Sequence, residues 1–284
     1  MATLLDIRRR IRSVKSTQQI TRAMKMVAAA RLRRAQDRIF NARPYANQML
    51  TLLSSLAART EQRAHPLLAQ RPVEKVLLVL VTADRGLCGA FNTNLIRATQ
   101  NYLEENRDKQ VSIIAVGRKG RDFFRKRPVE ILSDYIGLFG RLEFTHAQPV
   151  AKQIIDLYTQ ASVDAVDFLY NEFKSILTQR VRVERYLPIK PLEPARGEAL
   201  IDYIYEQPAA EILSALLPRY VEIEVYRALL ESQAAELAAR MTAMDAATNN
   251  AAEMIDSLTL YLNRVRQAAI TREIIEVVSG AVAT

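Results

Sequence analysis

The chain has 284 residues, 49% of them hydrophobic and 25% charged, with 40 Lys and Arg against 31 Asp and Glu for a net charge of +9. One cysteine and two histidines exclude an internal disulfide framework and any multi-cysteine metal site, and make zinc chemistry a poor fit. No apolar run approaches the roughly 18 residues that would span a bilayer, so the chain reads as soluble or peripheral to a membrane, in one or two domains.

The first 43 residues contain neither proline nor glycine, the strongest helix breakers. They predict a helix of about 60 Å at ~1.5 Å per residue, within an N-terminal helical segment at 1–60. A step of four and three runs from Ile7 through Ile11, Val14, Ala28, Leu32 and Ala35 to Ala42, with Gln18, Thr21 and Lys25 as its polar members. The same 43 residues hold twelve Lys and Arg against Asp6 and Asp37, a net of +10 that exceeds the charge of the whole chain. Three partners could match it: nucleic acid, an anionic membrane, or an acidic protein surface. An Arg-rich, acid-poor start also resembles a mitochondrial transit peptide, but those are cleaved and this heptad continues past residue 40.

The middle, 73–206, alternates aliphatic runs with helical stretches. Strands are predicted at 76–81, 111–116, 129–136, 165–173 and 180–187, and helices up to about 106, around 122–126 and over 149–162. Runs this aliphatic are buried on both faces, which argues for a small, Rossmann-like α/β layer with a largely parallel sheet. Pro188, Pro191, Pro194 and Gly197 mark a loop, and 200–205 reads as a last short strand. The turn Thr82-Ala-Asp-Arg-Gly-Leu-Cys-Gly89 follows a strand as a phosphate-binding loop would, yet it matches neither GxGxxG nor a P-loop. Glycines placed for positive φ explain it better, and Cys88 has no base near it in sequence to make it a nucleophile.

From near Pro208 a second long helix is predicted over 208–284, and 61 consecutive residues between Pro218 and Gly280 lack both breakers, a length of about 90 Å. A heptad stripe starts at Leu230 and Ala234 and runs through Met244, Thr248, Ala251 and Leu258 to Ala269. Past it, Ile270, Ile274, Ile275, Val277 and Val278 spread around the helix, as expected of a tip buried in something else. From Arg219 onward the count is six basic and nine acidic residues, weakly complementary to the first helix. The two ends are therefore predicted to pair as an antiparallel two-helix coiled coil, its backbones brought close by Ala28, Ala35, Ala234 and Ala251. Two rival readings remain: a nucleic-acid-binding arm, which would rely on phosphate contact because residues 1–39 lack an aromatic, and an α/β enzyme with helical dimerisation arms.

Three segments carry a resemblance: Ile11-Arg-Ser-Val-Lys-Ser-Thr-Gln-Gln-Ile-Thr-Arg-Ala-Met-Lys-Met-Val-Ala-Ala-Ala30, the turn beginning at Thr82, and Ala239-Arg-Met-Thr-Ala-Met-Asp-Ala-Ala-Thr-Asn-Asn250 with the stretch 261–273. In this order they resemble the gamma subunit of F-type ATP synthases, and the similarity extends end to end. The resemblance implies an antiparallel coiled coil inserted through a hexamer of alternating α and β subunits, with the α/β domain against a membrane-embedded ring of c subunits. It implies a rotor shaft, one copy per complex, that couples proton-driven rotation to the conformational cycle of β. Such a shaft has no catalytic residue, cofactor or metal of its own, binds no nucleic acid and does not insert into the membrane.

Carried over residue by residue, the resemblance assigns Arg22, Met24, Lys25, Arg240, Gln267 and Thr271 to contact with an acidic loop of β, with Arg85 and Cys88 near the same rim. Ile274 and Val278 fall in the apolar tip that sits in a sleeve of the hexamer, and Tyr203 falls where the foot approaches the c ring. An epsilon subunit is a further implied partner. With Cys88 as the one cysteine, the dithiol of chloroplast members is absent. The match begins within a few residues of Met1, which points to a bacterial protein peripheral to the cytoplasmic face of the plasma membrane.

Overall fold

A computed structural model of the chain describes residues 3–57, 65–189 and 208–282. They form two compact units, one of Met1–Ala29 with Arg240–Thr284 and one of Ala30–Ala239. Two long helices contribute to both: α1, Leu4–Ala57, and α5, Ala209–Val282.

In the first unit α1 begins with a reciprocal cap. The Asp6 amide donates to the Thr3 hydroxyl at 3.3 Å, while the Asp6 carboxylate accepts from the Thr3 amide at 3.1 Å. Bonds from Thr3 hold the Asp6 carboxyl below its usual range. α1 and α5 run antiparallel: Thr21 meets Thr248 at 2.8 Å and Lys25 meets Asp245 at 2.5 Å, so the partner number falls as the residue number rises. Ile7 and Ser13 accordingly share a notch with Leu258 and Tyr261. Ile7, Ala28, Met244 and Ala251 are buried along the seam, where small side chains let backbones approach.

The second unit is built on a five-stranded sheet. Its strands are β1 Lys75–Val81, β2 Gln110–Val116, β3 Glu130–Tyr135, β4 Ala165–Phe173 and β5 Gln179–Leu187, in the order β3-β2-β1-β4-β5. The first four are parallel and β5 is an antiparallel edge. β1 is buried from Val76 to Val81, as a central strand covered on both faces must be, whereas edge strand β3 alternates exposed and half-buried residues. Helices α2 Phe91–Glu105, α3 Arg118–Phe124 and α4 Phe144–Thr159 connect the strands. The α5 stretch in this unit is buried on every side over residues 228–235. It is tied to the sheet where Glu231 accepts from the Phe173 amide at 3.0 Å, and to a loop where Gln233 donates to the Phe139 carbonyl at 3.0 Å.

All five strands lie within two residues of their predicted limits, but three helix boundaries differ. α1 passes through Pro44 to Ala57 and α4 begins five residues before Pro149, because a proline removes one backbone bond and buried packing outweighs that loss. In α4 the start is set instead by a capping box in which the Glu143 amide donates to His146 Nδ1 at 3.0 Å. α3 starts four residues before its predicted position because its cap arrives from distant sequence. Asp84 accepts from the Arg118 amide at 3.1 Å, and the Thr82 hydroxyl accepts from the Gly120 amide at 2.9 Å. The predicted strand at 200–205 and its Tyr203 lie outside the described residues.

Candidate partner-contact surfaces

In an open parallel sheet the carboxyl ends of the strands are where a nucleotide or substrate would sit. Here that edge is filled by the chain itself. Asp84 accepts from the amides of Arg118 and Gly137, at 3.1 and 3.0 Å, and Asn92 accepts from Ala83 at 3.0 Å while donating toward Cys88 Sγ at 3.1 Å. Gly117, at φ +95°, lies so close to Thr82 that a Cβ there would stand 2.0 Å from the Thr82 carbonyl oxygen. At the end of β4, Glu231 occupies the Phe173 amide. No group of metal-binding side chains assembles among the described residues.

The ionisable clusters of the second unit hold helices to the sheet. Asp167, almost fully buried, takes two bonds from the Arg185 guanidinium at 2.8 and 2.9 Å and a short one from the Tyr102 hydroxyl at 2.5 Å. Burial, reinforced by Asp167, pushes the Tyr102 phenol well above its ordinary value. A second cluster joins Arg227 to Glu224 at 2.5 Å and to Glu184 at 3.6 Å, with the Tyr170 hydroxyl donating to Glu184 at 3.0 Å. Burial raises Glu224 against the pull of Arg227, and it raises Tyr170, Tyr186 and Tyr220.

The residues singled out in the sequence fall into three groups. Arg22, Met24, Lys25 and Arg240 lie in the helix pair: Arg22 is exposed, Met24 and Arg240 are partly buried, and Lys25 is engaged by Asp245. Gln267, Thr271, Ile274 and Val278 lie on α5, about 40 to 57 Å along the helix from Arg240 at ~1.5 Å per residue, and all four are exposed. The Thr271 hydroxyl turns back to the Gln267 carbonyl at 2.9 Å. Arg85 and Cys88 share the β1–α2 turn of the second unit; Arg85 is exposed and Cys88 is buried beside Asn92.

Two features went unseen in the sequence. The polar members Thr21 and Lys25 have partners within the pair, and the signal was there: Asp245 is the one acid between Glu236 and Glu253. The other is Leu87, 65% exposed at φ +64°, a backbone region that bulky side chains rarely enter and that no composition rule predicts.

A family model described as ATP synthase matches residues 3–284. Over 287 residues the chain is 54% identical to the ATP synthase gamma chain of Solibacter usitatus (strain Ellin6076), covering 100% of this chain and 99% of the relative. It is 52% identical over 281 residues to the ATP synthase gamma chain of Moorella thermoacetica (strain ATCC 39073 / JCM 9320), covering 99% of both. Among solved structures it is similar to a chain of the Tetrahymena thermophila mitochondrial ATP synthase central stalk and c-ring, with TM-score 0.62 and 29% identity over 80% of this chain and 99% of that one. A chain of the Euglena gracilis mitochondrial ATP synthase shares the fold at TM-score 0.71 and 19% identity, over 99% of this chain and 94% of that one.

Proposed function

The chain belongs to the ATP synthase gamma chain family, and from that premise we propose that it is the rotor shaft of a bacterial F-type ATP synthase, without an active site of its own. In this reading its helix pair engages a hexamer of α and β subunits, a c ring drives it, an epsilon subunit accompanies it, and its asymmetry sets the state of each β in turn. The segments 1–60 and 208–284 supply the shaft and 73–206 the α/β domain. Among the described residues no helix is long and apolar enough to cross a membrane, in keeping with a peripheral subunit of a membrane-bound complex. We place it on the cytoplasmic face.

One observation carries the reading: on α5, Ile270, Ile274, Ile275, Val277 and Val278 are 47, 58, 58, 72 and 56% exposed, and at about 100° per residue they do not spread around the helix as the sequence reading expected but share one broad face of roughly 160°, with Arg272 and Glu273 on the other side. The seam residues are covered by the partner helix, whereas this exposed apolar face asks for cover from another subunit, such as the wall of a sleeve. Nondirectional apolar contact suits a turning shaft, because no hydrogen bond has to break at each angle. In this reading Arg22, Met24, Lys25 and Arg240 form one contact group, Gln267 and Thr271 join the apolar tip, and exposed Arg85 contributes from the α/β domain with buried Cys88 behind it.

Co-expression with α and β subunits tests it, and a hexamer carrying one copy of this chain is the expected product. A chain that purifies away from the hexamer, or that turns over ATP alone, would end the proposal. Within the assembled complex, Met24→Lys adds a charge beside Lys25 on a partly buried site. It is expected to lower protons pumped per ATP while nucleotide affinity stays unchanged, measured as acidification of inverted membrane vesicles against ATP hydrolysis.

A further inference from the structure

We propose that the cavity where α1, α4 and α5 meet in the second unit binds a small amphipathic carboxylate, an aliphatic tail with one acid group. The inference goes beyond the rotor reading and requires no other subunit. The cavity measures about 300 Å³, at the lower end of the ~300–1,000 Å³ usual for small-ligand sites. At ~30 Å³ for each, as for water, it has room for roughly ten non-hydrogen atoms.

Its walls are apolar and held in place. Ile39 and Ala42 face it from α1, Ile223 and Leu230 from α5, and Phe144 from the first residue of α4, edge-on to Tyr226 at 5.5 Å. Ala42 continues the small-residue spacing of Ala28 and Ala35, but here its short side chain leaves unfilled the space beside the two aromatic rings. Two arginines tie the walls together. Arg38 of α1 donates to the Leu142 carbonyl just before α4 at 2.9 Å, and the Arg219 guanidinium of α5 lies over the Phe144 ring at 4.9 Å. A cavity braced in this way is preorganised, so a ligand meets little ordering cost on entry.

Charge selects the head group. Among the described residues the lining includes Arg219 and Arg227 and no acid. The acids nearby are engaged: Glu222 by Arg219 at 2.8 Å, Glu224 by Arg227 at 2.5 Å and Glu143 by Arg141 at 2.9 Å. Arg219 spends only Nη1 on Glu222, which leaves its Nε and Nη2 without a partner among the described residues, and Arg227 Nε is buried with none. Unused guanidinium donors at an apolar cavity attract a carboxylate and repel an ammonium. A sugar or a nucleotide would instead lose its hydration against Ile39 and Leu230.

The probe is octanoate, titrated calorimetrically into the full chain, with octanamide and octylamine as neutral and cationic matches. One octanoate per chain is expected at a Kd of about 0.1 to 1 mM, with octanamide at least about fivefold weaker and octylamine not bound. Ala42→Phe fills the cavity and should abolish binding. Arg219→Gln alters a half-exposed side chain in a surface ion pair, so it should keep the parent's urea midpoint, weaken octanoate about tenfold and leave octanamide unchanged. Absence of saturable octanoate binding to the parent below about 10 mM overturns the inference. Equal affinities for octanoate and octanamide also overturn it, and would mark the cavity as a recess for any apolar group, a neighbouring subunit's side chain included. So does a folded Ala42→Phe chain that still binds, or an Arg219→Gln chain that binds octanoate as the parent does.

Discussion

Two stretches of α5 contain the same kinds of residue and meet opposite fates. Over 228–235 all eight residues are buried, including the polar Glu231, Ser232 and Gln233; over 270–275 all six are exposed, including Ile270, Ile274 and Ile275. Hydrophobicity alone does not distinguish them. The difference lies in who supplies the cover. The first stretch finds it within its own unit, down to the carboxylate of Glu231 on the Phe173 amide, and the second finds none among the described residues. Helical periodicity reports that a surface wants burial, and only tertiary structure reports whether the chain provides it.

Alkali should separate the two stretches most strongly. Tyr102, Tyr170, Tyr186 and Tyr220, all in the second unit, have phenols raised above their ordinary value near 10. A folded-state pKa above the unfolded one gives stability that is fully present below pH 10 and is lost as pH rises toward the folded value. The unit around 228–235 is therefore expected to unfold cooperatively above pH 10. Tyrosinate absorbance should rise together with loss of near-ultraviolet circular dichroism. Tyrosinate that forms gradually while the fold persists would show that these phenols are not as sealed as their burial states.

A smaller effect comes from truncating one aliphatic in each stretch. Leu229→Ala removes a fully buried side chain and is expected to cost about 2–5 kcal/mol in urea unfolding. Ile275→Ala, at 58% exposure, should change stability by less than about 0.5 kcal/mol yet weaken association with the hexamer. Equal stability losses at the two positions would erase the contrast, and with it the case for an external sleeve.

The sheet was legible because buried parallel strands must be aliphatic throughout: 76–81, 111–116 and 165–173 have few other readings. What escaped was specified from far away in the chain. α3 begins where Asp84 and Thr82 cap it from more than 30 residues upstream, and α4 runs through Pro149 because Ala147, Val150 and Ala151 are buried around it. Local signals mislead at such places. Among candidate contact residues, the need of Ile274 and Val278 for outside cover was legible from the break in the heptad, whereas Arg22 was singled out by the resemblance alone. Lys25 and Thr21 were read without their partners, because pairing them with Asp245 and Thr248 requires the register of two helices more than 200 residues apart.

That register makes the last prediction, the smallest in stability. Lys25 and Asp245 keep 42 and 47% of their side-chain exposure, so reversing either charge should cost less than about 1 kcal/mol. Its larger consequence is for alignment. The neighbouring seam residues Ala28 and Ala251 are too small to distinguish one register from another, whereas a polar layer does so. A slip of one heptad would set Lys25 against Ala238 or Ala252 and Thr21 against Met241 or Ile255, polar groups against apolar ones. Lys25→Asp alone should therefore reduce both the helix pair's stability and protons pumped per ATP, and adding Asp245→Lys should restore both. A double variant that regains stability without regaining coupling would assign the Lys25 charge to the hexamer rather than to the opposite helix, and would move the polar layer from the shaft's own alignment to its grip on a partner.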